Sequence, residues 1–177
     1  MSIKLVPMKA TDVAVVKPWL TDPNNSRWLD PFFQEENLSE LQIALFLIQR
    51  TKRTFLIDLD GVPVGVGGLT NLDTVNRSAE MWIITGNIPF RSRGVGTHVT
   101  MQLLEFAFGD CGLNSVIVRT VDGNPSARIA QRCGFREAGR LRGARLFEGE
   151  FRDYLIFDML RTEFEQSKAG RVEEPAH

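Results

Sequence analysis

The chain has 177 residues, of which 43% are hydrophobic and 24% charged, the balance of one globular domain with a sizeable core. A formal net charge of −1 gives no electrostatic footprint for nucleic acid or an anionic membrane, and no apolar run approaches the ~20 residues of a membrane span. Two histidines and two cysteines, Cys111 and Cys133, have no metal-ligand spacing. The first residues carry no apolar leader, so a reducing, cytoplasmic setting is the expectation, with neither nucleic acid, membrane nor metal involved.

Ile3 to Met8 reads as a first strand, and Thr11 as the N-cap of a helix whose apolar residues are Val13, Val16, Trp19 and Leu20. Pro23 to Ser26 breaks that pattern. The segment Arg27 to Glu36 is aromatic and acidic together, and Leu38 to Arg50 is a second amphipathic helix with Ser39 as cap. Thr54 to Asp58 and the alternating Val62, Val64 and Val66 form a hairpin about Asp60-Gly61. Ala79 to Ile84 is a further strand after the turn region Asn71 to Arg77.

Gly94 to Phe108 is helical, with Val95, Val99, Leu103 and Phe106 on one stripe. Ser115 to Val121 is a strand, Pro125 to Cys133 a short helix closed by Gly134, and two more strands cover Glu137 to Leu146 and Arg152 to Leu160. A domain over residues 1–164 with a polar, fraying tail over 165–177 is expected. The pattern predicts an α+β fold with about seven strands in a mixed, mostly antiparallel sheet and about four helices.

The most informative stretch is Arg91-Ser92-Arg93-Gly94-Val95-Gly96-Thr97, between a strand and a helix. A helix start offers unpaired N–H groups and about half a positive charge. The glycines admit an anion to the backbone, Arg91 and Arg93 add charge, and Thr97 adds a hydroxyl, which together describe a diphosphate cradle. The Rossmann fingerprint fails because its third glycine position holds Val99, and the Walker lysine is missing.

This stretch resembles the Arg/Gln-x-x-Gly-x-Gly/Ala loop of the GNAT superfamily, with Arg91, Gly94 and Gly96 matching position by position. Ala79 to Ile84 is similar to that family's central strand, and Asn124 to Phe135 to its second motif. Glu148 to Leu160 is similar to the closing strand in the branch of ribosomal-protein N-terminal acetyltransferases. The spacing from Asn124 to Gly134 is one residue shorter than is usual in that branch. The resemblance runs from about Ile3 to Phe164.

The resemblance implies acetyl-CoA as acyl donor, no metal, and a primary amine as acceptor, either a small molecule or a protein N-terminus; a homodimer is compatible with it. Arg91, Arg93, Gly94, Val95, Gly96 and Thr97 would hold the diphosphate. Backbone groups of Trp82, Ile83 and Ile84, with Asn124 and Ser126, would hold the pantetheine arm. Glu80 is the implied general base, acting through a water, and Ser126 the donor to the departing thiolate. A structural pairing of Glu80 with arginine is the plain alternative, as is an ordinary helix-start role for Ser126.

Tyr154, Cys133, Cys111 and His98 read as packing or surface residues, and Asp153 as either a surface carboxylate or part of a polar network. Trp28, Asp30, Phe32 and Phe33 would line the acceptor pocket, or else plug the core. A non-catalytic acyl-CoA sensor and a nucleotide-binding protein are the competing functions.

Overall fold

The structure, a computed structural model, describes residues 2–86 and 94–172. Seven strands make one sheet in the order β1-β2-β3-β4-β5-β7-β6. They are β1 (Ile3–Pro7), β2 (Arg53–Leu59), β3 (Val62–Asp73), β4 (Ser78–Thr85), β5 (Ser115–Val121), β6 (Arg136–Phe147) and β7 (Glu150–Leu160). The helices among the described residues are α1 (Val13–Thr21), α2 (Pro23–Ser26), α3 (Glu40–Leu47), α4 (Val95–Phe108), α5 (Ser126–Arg132) and α6 (Arg161–Val172). Neighbouring strands are antiparallel except β4 and β5, which α4 joins as a parallel crossover.

Alternation along each strand sends side chains to two faces, and each face has its own core. Ala79 and Met81 of β4 join Leu103, Leu104 and Phe157 on the face covered by α4, α5 and α6. Ile84, with partly buried Trp82, joins Val16, Leu20, Ile43 and Leu47 on the face covered by α1 and α3. Asp60 and Gly61 turn β2 into β3 with φ of 52° and 88°, the twist a two-residue hairpin requires. Ser39 caps α3 as expected, and with Gln42 it forms a reciprocal capping box.

Three local expectations are corrected. Thr11 does not cap α1; the Asp12 carboxylate accepts from the Lys9 N–H at 2.8 Å and closes a short 3-10 turn instead. The break expected at Pro23 to Ser26 falls at Asp22, which is extended after Thr21, and Pro23 to Ser26 themselves form the turn α2, because the Asp22 side chain accepts from Asn24 N at 2.9 Å and proline suits a first helical position. The tail expected to fray over 165–177 instead continues α6 as far as Val172, held by Phe164, which is only 4% exposed and packs 5.3 Å from Phe108. Residues 173–177 lie outside the described residues. Six helices thus stand where about four were expected, the extra two being α2 and α6.

The sheet has one break. β4 and β5 pair only at Ser78–Ser115, Ala79–Val116 and Glu80–Ile117. Beyond Glu80 the two strands part, and Met81 to Thr85 have no pairing with Val118 to Val121.

Candidate active site

Two features open toward the same end of β4. One is the gap between β4 and β5, whose β4 edge carries Trp82, Ile83 and Ile84 with their opposite edge bonded to β3. The other is the start of α4. Gly94 precedes that helix at φ 73°, a left-handed conformation that would cost other residues about 1–2 kcal/mol. The first α4 bond is His98 N–H to Gly94 O, at 3.1 Å, so the amides of Val95, Gly96 and Thr97 have no intrahelical acceptor. Gly96 faces α5 so closely that a Cβ there would lie 3.0 Å from Ile129 Cδ1. Arg91 and Arg93 lie outside the described residues. Among the described residues this strand edge and these amides have no backbone partner, an arrangement that fits a ligand carrying both amides and a diphosphate.

Asn124 and Ser126, expected together, are together. The Asn124 side-chain oxygen accepts from Ser126 N at 2.9 Å and so closes the turn that leads into α5. The Ser126 hydroxyl in turn bridges to Thr120 Oγ1 at 2.6 Å. Thr120 escaped the sequence reading, because only the three-dimensional proximity of β5 and α5 makes it a partner.

Glu80 sits in the last residue pair before the strands part. Its carboxylate accepts from Arg119 Nε at 3.1 Å and Arg119 NH2 at 2.5 Å, and from Asn71 Nδ2 at 3.2 Å. This bidentate bond raises the Arg119 guanidinium above its ordinary value, against a smaller desolvation. Arg119 was missed because the parallel register sets Ile117 across from Glu80 and so brings Arg119, two residues further along β5, within reach, and that register leaves no short-range signal.

On the acceptor side the aromatic residues separate. Phe33 is buried and Phe32 stacks on Phe46 at 4.4 Å, so these two rings fill the second core. Asp30 accepts from Phe32 N at 3.0 Å and caps a 3-10 turn, and its charge partly offsets the downward push that burial gives Lys52. Trp28 packs 4.3 Å from Phe147, at the tip of the β6–β7 hairpin. Arg145 of the same hairpin donates to the carbonyls of Arg27 and Leu29 at 3.2 and 2.9 Å, and Arg27 NH1 meets Glu148 at 2.6 Å. The hairpin therefore docks onto the segment that carries Trp28.

Asp153 accepts from Gly143 N at 2.8 Å and from Arg140 at 3.0 Å, fixing the irregular stretch of β6 between Leu141 and Arg145. The Gly143 amide, then Arg140, hold its carboxyl below the ordinary carboxylate value. Cys133 is buried with its thiol 3.8 Å from Thr97 O, and burial pushes the Cys111 thiol up. A separate groove of about 690 Å³ is walled by Lys17, Arg27, Glu35 and Glu36 among others; β4 and β5 do not line it. Among the described residues no three His, Cys, Asp or Glu gather as a metal site, and no helix is long and apolar enough to cross a membrane.

The chain belongs to the GNAT acetyltransferase family: residues 2–136 match the family described as "Acetyltransferase (GNAT) domain". It is 34% identical over 112 residues to "Putative ribosomal N-acetyltransferase YdaF" of Bacillus subtilis (strain 168), covering 62% of this chain and 60% of that protein. It is 31% identical over 78 residues to "SPbeta prophage-derived uncharacterized N-acetyltransferase YokL" of the same organism, covering 44% of each. The matches thus span less than two thirds of these curated relatives. The fold is that of a spermidine N-acetyltransferase from Vibrio cholerae, solved in complex with CoA and spermine. The TM-score is 0.82 at 20% identity, over 92% of this chain and 98% of that one.

Proposed function

We propose that this chain is an acetyl-CoA-dependent N-acetyltransferase acting on a primary amine by direct attack in a ternary complex. The observation that carries the reading is the gap between β4 and β5, whose free strand edge lies in the same element that leads to the open amides of α4. Bound acetyl-CoA supplies an activated acetyl thioester. The amides of Val95, Gly96 and Thr97, with Arg91 and Arg93, bind its diphosphate. The free edge of Trp82, Ile83 and Ile84 pairs with the pantetheine amides, and a strand N–H polarises the thioester carbonyl.

The amine nitrogen bonds to the acetyl carbon as the carbon–sulfur bond breaks. Ser126 donates its hydroxyl proton to the departing sulfur and is resupplied through Thr120, 2.6 Å away. Glu80, with both oxygens engaged by Arg119 and Asn71, holds the fork and leaves the amine proton to water. That division suits an α-amine, whose deprotonation at pH 7 costs about 1 kcal/mol, over a lysine-like amine at about 4.6 kcal/mol.

The engagement of Glu80 also favours a second reading, a non-catalytic acyl-CoA sensor on the same fold. A thiol-release assay with acetyl-CoA over α-amino peptides, amino acids, spermidine and amino sugars tests both. Release with any of them supports the transferase; tight acetyl-CoA binding without release across the panel supports the sensor. The absence of acetyl-CoA binding overturns both.

A further inference from the structure

We propose that Arg27, Arg145 and Arg152 form a receptor for a carboxylate carried by the acceptor, so that the amine acetylated also bears an anionic group. This rests on the acetyl-transfer reading above. Two of the guanidinium groups gather at one aromatic pair, and the third, that of Arg145, bonds the backbone on either side of Trp28. Arg152 Cζ lies 4.9 Å and Arg27 Cζ 5.9 Å from the Phe147 ring centroid, and Arg27 Cζ lies 5.2 Å from that of Trp28. Arg145, two residues before Phe147, is only 7% exposed. Its NH2 group is spent on the Arg27 and Leu29 carbonyls. The Nε atoms of both Arg145 and Arg27 are buried with no hydrogen-bond acceptor among the described residues.

Buried guanidinium donors without acceptors are uncommon, and the planar fork of arginine is matched by a carboxylate. The carboxylates already present do not meet that need. Glu148 bonds Arg27 NH1 from an exposed position, and Glu150 reaches Arg152 only at 3.9 Å with its side chain 78% exposed. Asp30, next to Leu29, is turned to its own cap and toward Lys52.

The cluster stands where an acceptor would enter. Leu155, Phe157 and Met159 of β7 face the α4 core, so Tyr154 and Arg152 face the other way. Tyr154 pairs with Val121, the last residue of β5, and Arg152 lies two residues further out. Leu29, whose carbonyl holds Arg145, packs on the same core as Trp82 and Ile84 of β4. The arginines therefore bridge the two sides of the gap at its open end. A polycation entering there meets like charge, whereas the carboxylate of an acid-bearing amine meets opposite charge.

The carboxylate can belong to a free amino acid or to an acidic side chain near a peptide N-terminus. The test uses the full chain with saturating acetyl-CoA and two matched pairs: L-phenylalanine against phenethylamine, and the peptide Ser-Glu-Ala-Ala against Ser-Lys-Ala-Ala, with spermidine alongside. The expected result is a kcat/KM at least tenfold higher for the acidic member of one pair. A preference in the first pair identifies a free amino acid, and one in the second pair an acidic side chain. The preference should shrink at least fivefold, through KM, in Arg145→Gln and in the more exposed Arg152→Gln, and widen in Glu148→Gln.

Equal rates within both pairs, or spermidine as the best acceptor, overturn the proposal. If no amine is turned over, the acetyl-transfer reading falls separately. Calorimetric titration of L-phenylalanine and phenethylamine into the CoA-loaded chain then decides the receptor by itself, a carboxylate preference upholding it and equal binding ending it.

Discussion

The Glu80 carboxylate and the Arg119 guanidinium meet through two hydrogen bonds, 3.1 and 2.5 Å, across the point where β4 and β5 cease to pair. Arg119 is two residues past the last β5 pair, so the bond spans the fork itself. With the Arg119 side chain 43% exposed, solvent screening limits its worth to about 1 kcal/mol. Arg119→Gln should lower the melting temperature by about 2–4 °C and raise KM for acetyl-CoA. Glu80→Gln should cost less than about tenfold in kcat, whereas removal of a general base costs about 10²–10⁴. Steady-state kinetics on both variants separate a brace from a base.

Ser126 is expected to act on the sulfur. Ser126→Ala removes one hydrogen bond to a developing charge, worth about 1.5–3 kcal/mol, so kcat should fall roughly 10–100-fold with KM for acetyl-CoA little changed. Thr120→Val, which keeps the shape and deletes the relay at 2.6 Å, should show a smaller loss in the same parameter. Stopped-flow thiol release reads both.

Gly96 allows α4 to approach α5, and a methyl group there would press on Ile129 at 3.0 Å. Gly96→Val should therefore weaken acetyl-CoA binding at least tenfold by tilting the first turn of α4, while circular dichroism stays near wild type. Isothermal titration measures the loss. An unchanged dissociation constant would remove the α4 amides from the cofactor site.

Asp153 supplies a pH signature. Its folded carboxyl lies below the ordinary value of 3.8, chiefly through the Gly143 amide and then Arg140. A depressed carboxyl stabilises the fold fully above the ordinary value, and that contribution disappears as pH falls through the folded value. The melting temperature of Asp153→Asn should thus lie below that of wild type at pH 7 and converge with it in strong acid.

Phe164 should anchor α6. Phe164→Ala leaves a void against Phe108 and should cost about 3–5 kcal/mol, lowering the melting temperature by about 10 °C.

The strands and the long helix were legible because their signals are local. The apolar run Thr54 to Asp58 announced β2, the alternating valines after Asp60-Gly61 announced β3, and the stripe from Val95 to Phe106 announced α4. The helix α6 was not, because ten of its twelve residues other than Phe164 and Val172 carry no apolar signal beyond one alanine, and a single buried ring decides its packing. The glycine pair at α4 was legible as a candidate anion cradle, yet the fork at Glu80 depends on a parallel register that pairs residues such as Glu80 and Ile117, far apart in the chain, which no local window of sequence contains. Phe147 and Arg145 were passed over for a similar reason: the β6 irregularity between Leu141 and Arg145 resets which residues face Trp28. Phe32 and Phe33 show the converse, since aromatic composition alone does not tell a pocket wall from a core plug.

Among the described residues only three strand pairs join the four-stranded leaf to the three-stranded one along their shared seam. Such a seam behaves as a short spine between two covers. A guest lying in the cleft would supply rungs that the polypeptide omits, so occupancy and stiffness of the whole sheet should rise together, and slower amide exchange from Met81 to Thr85 would be the mark of a filled cleft.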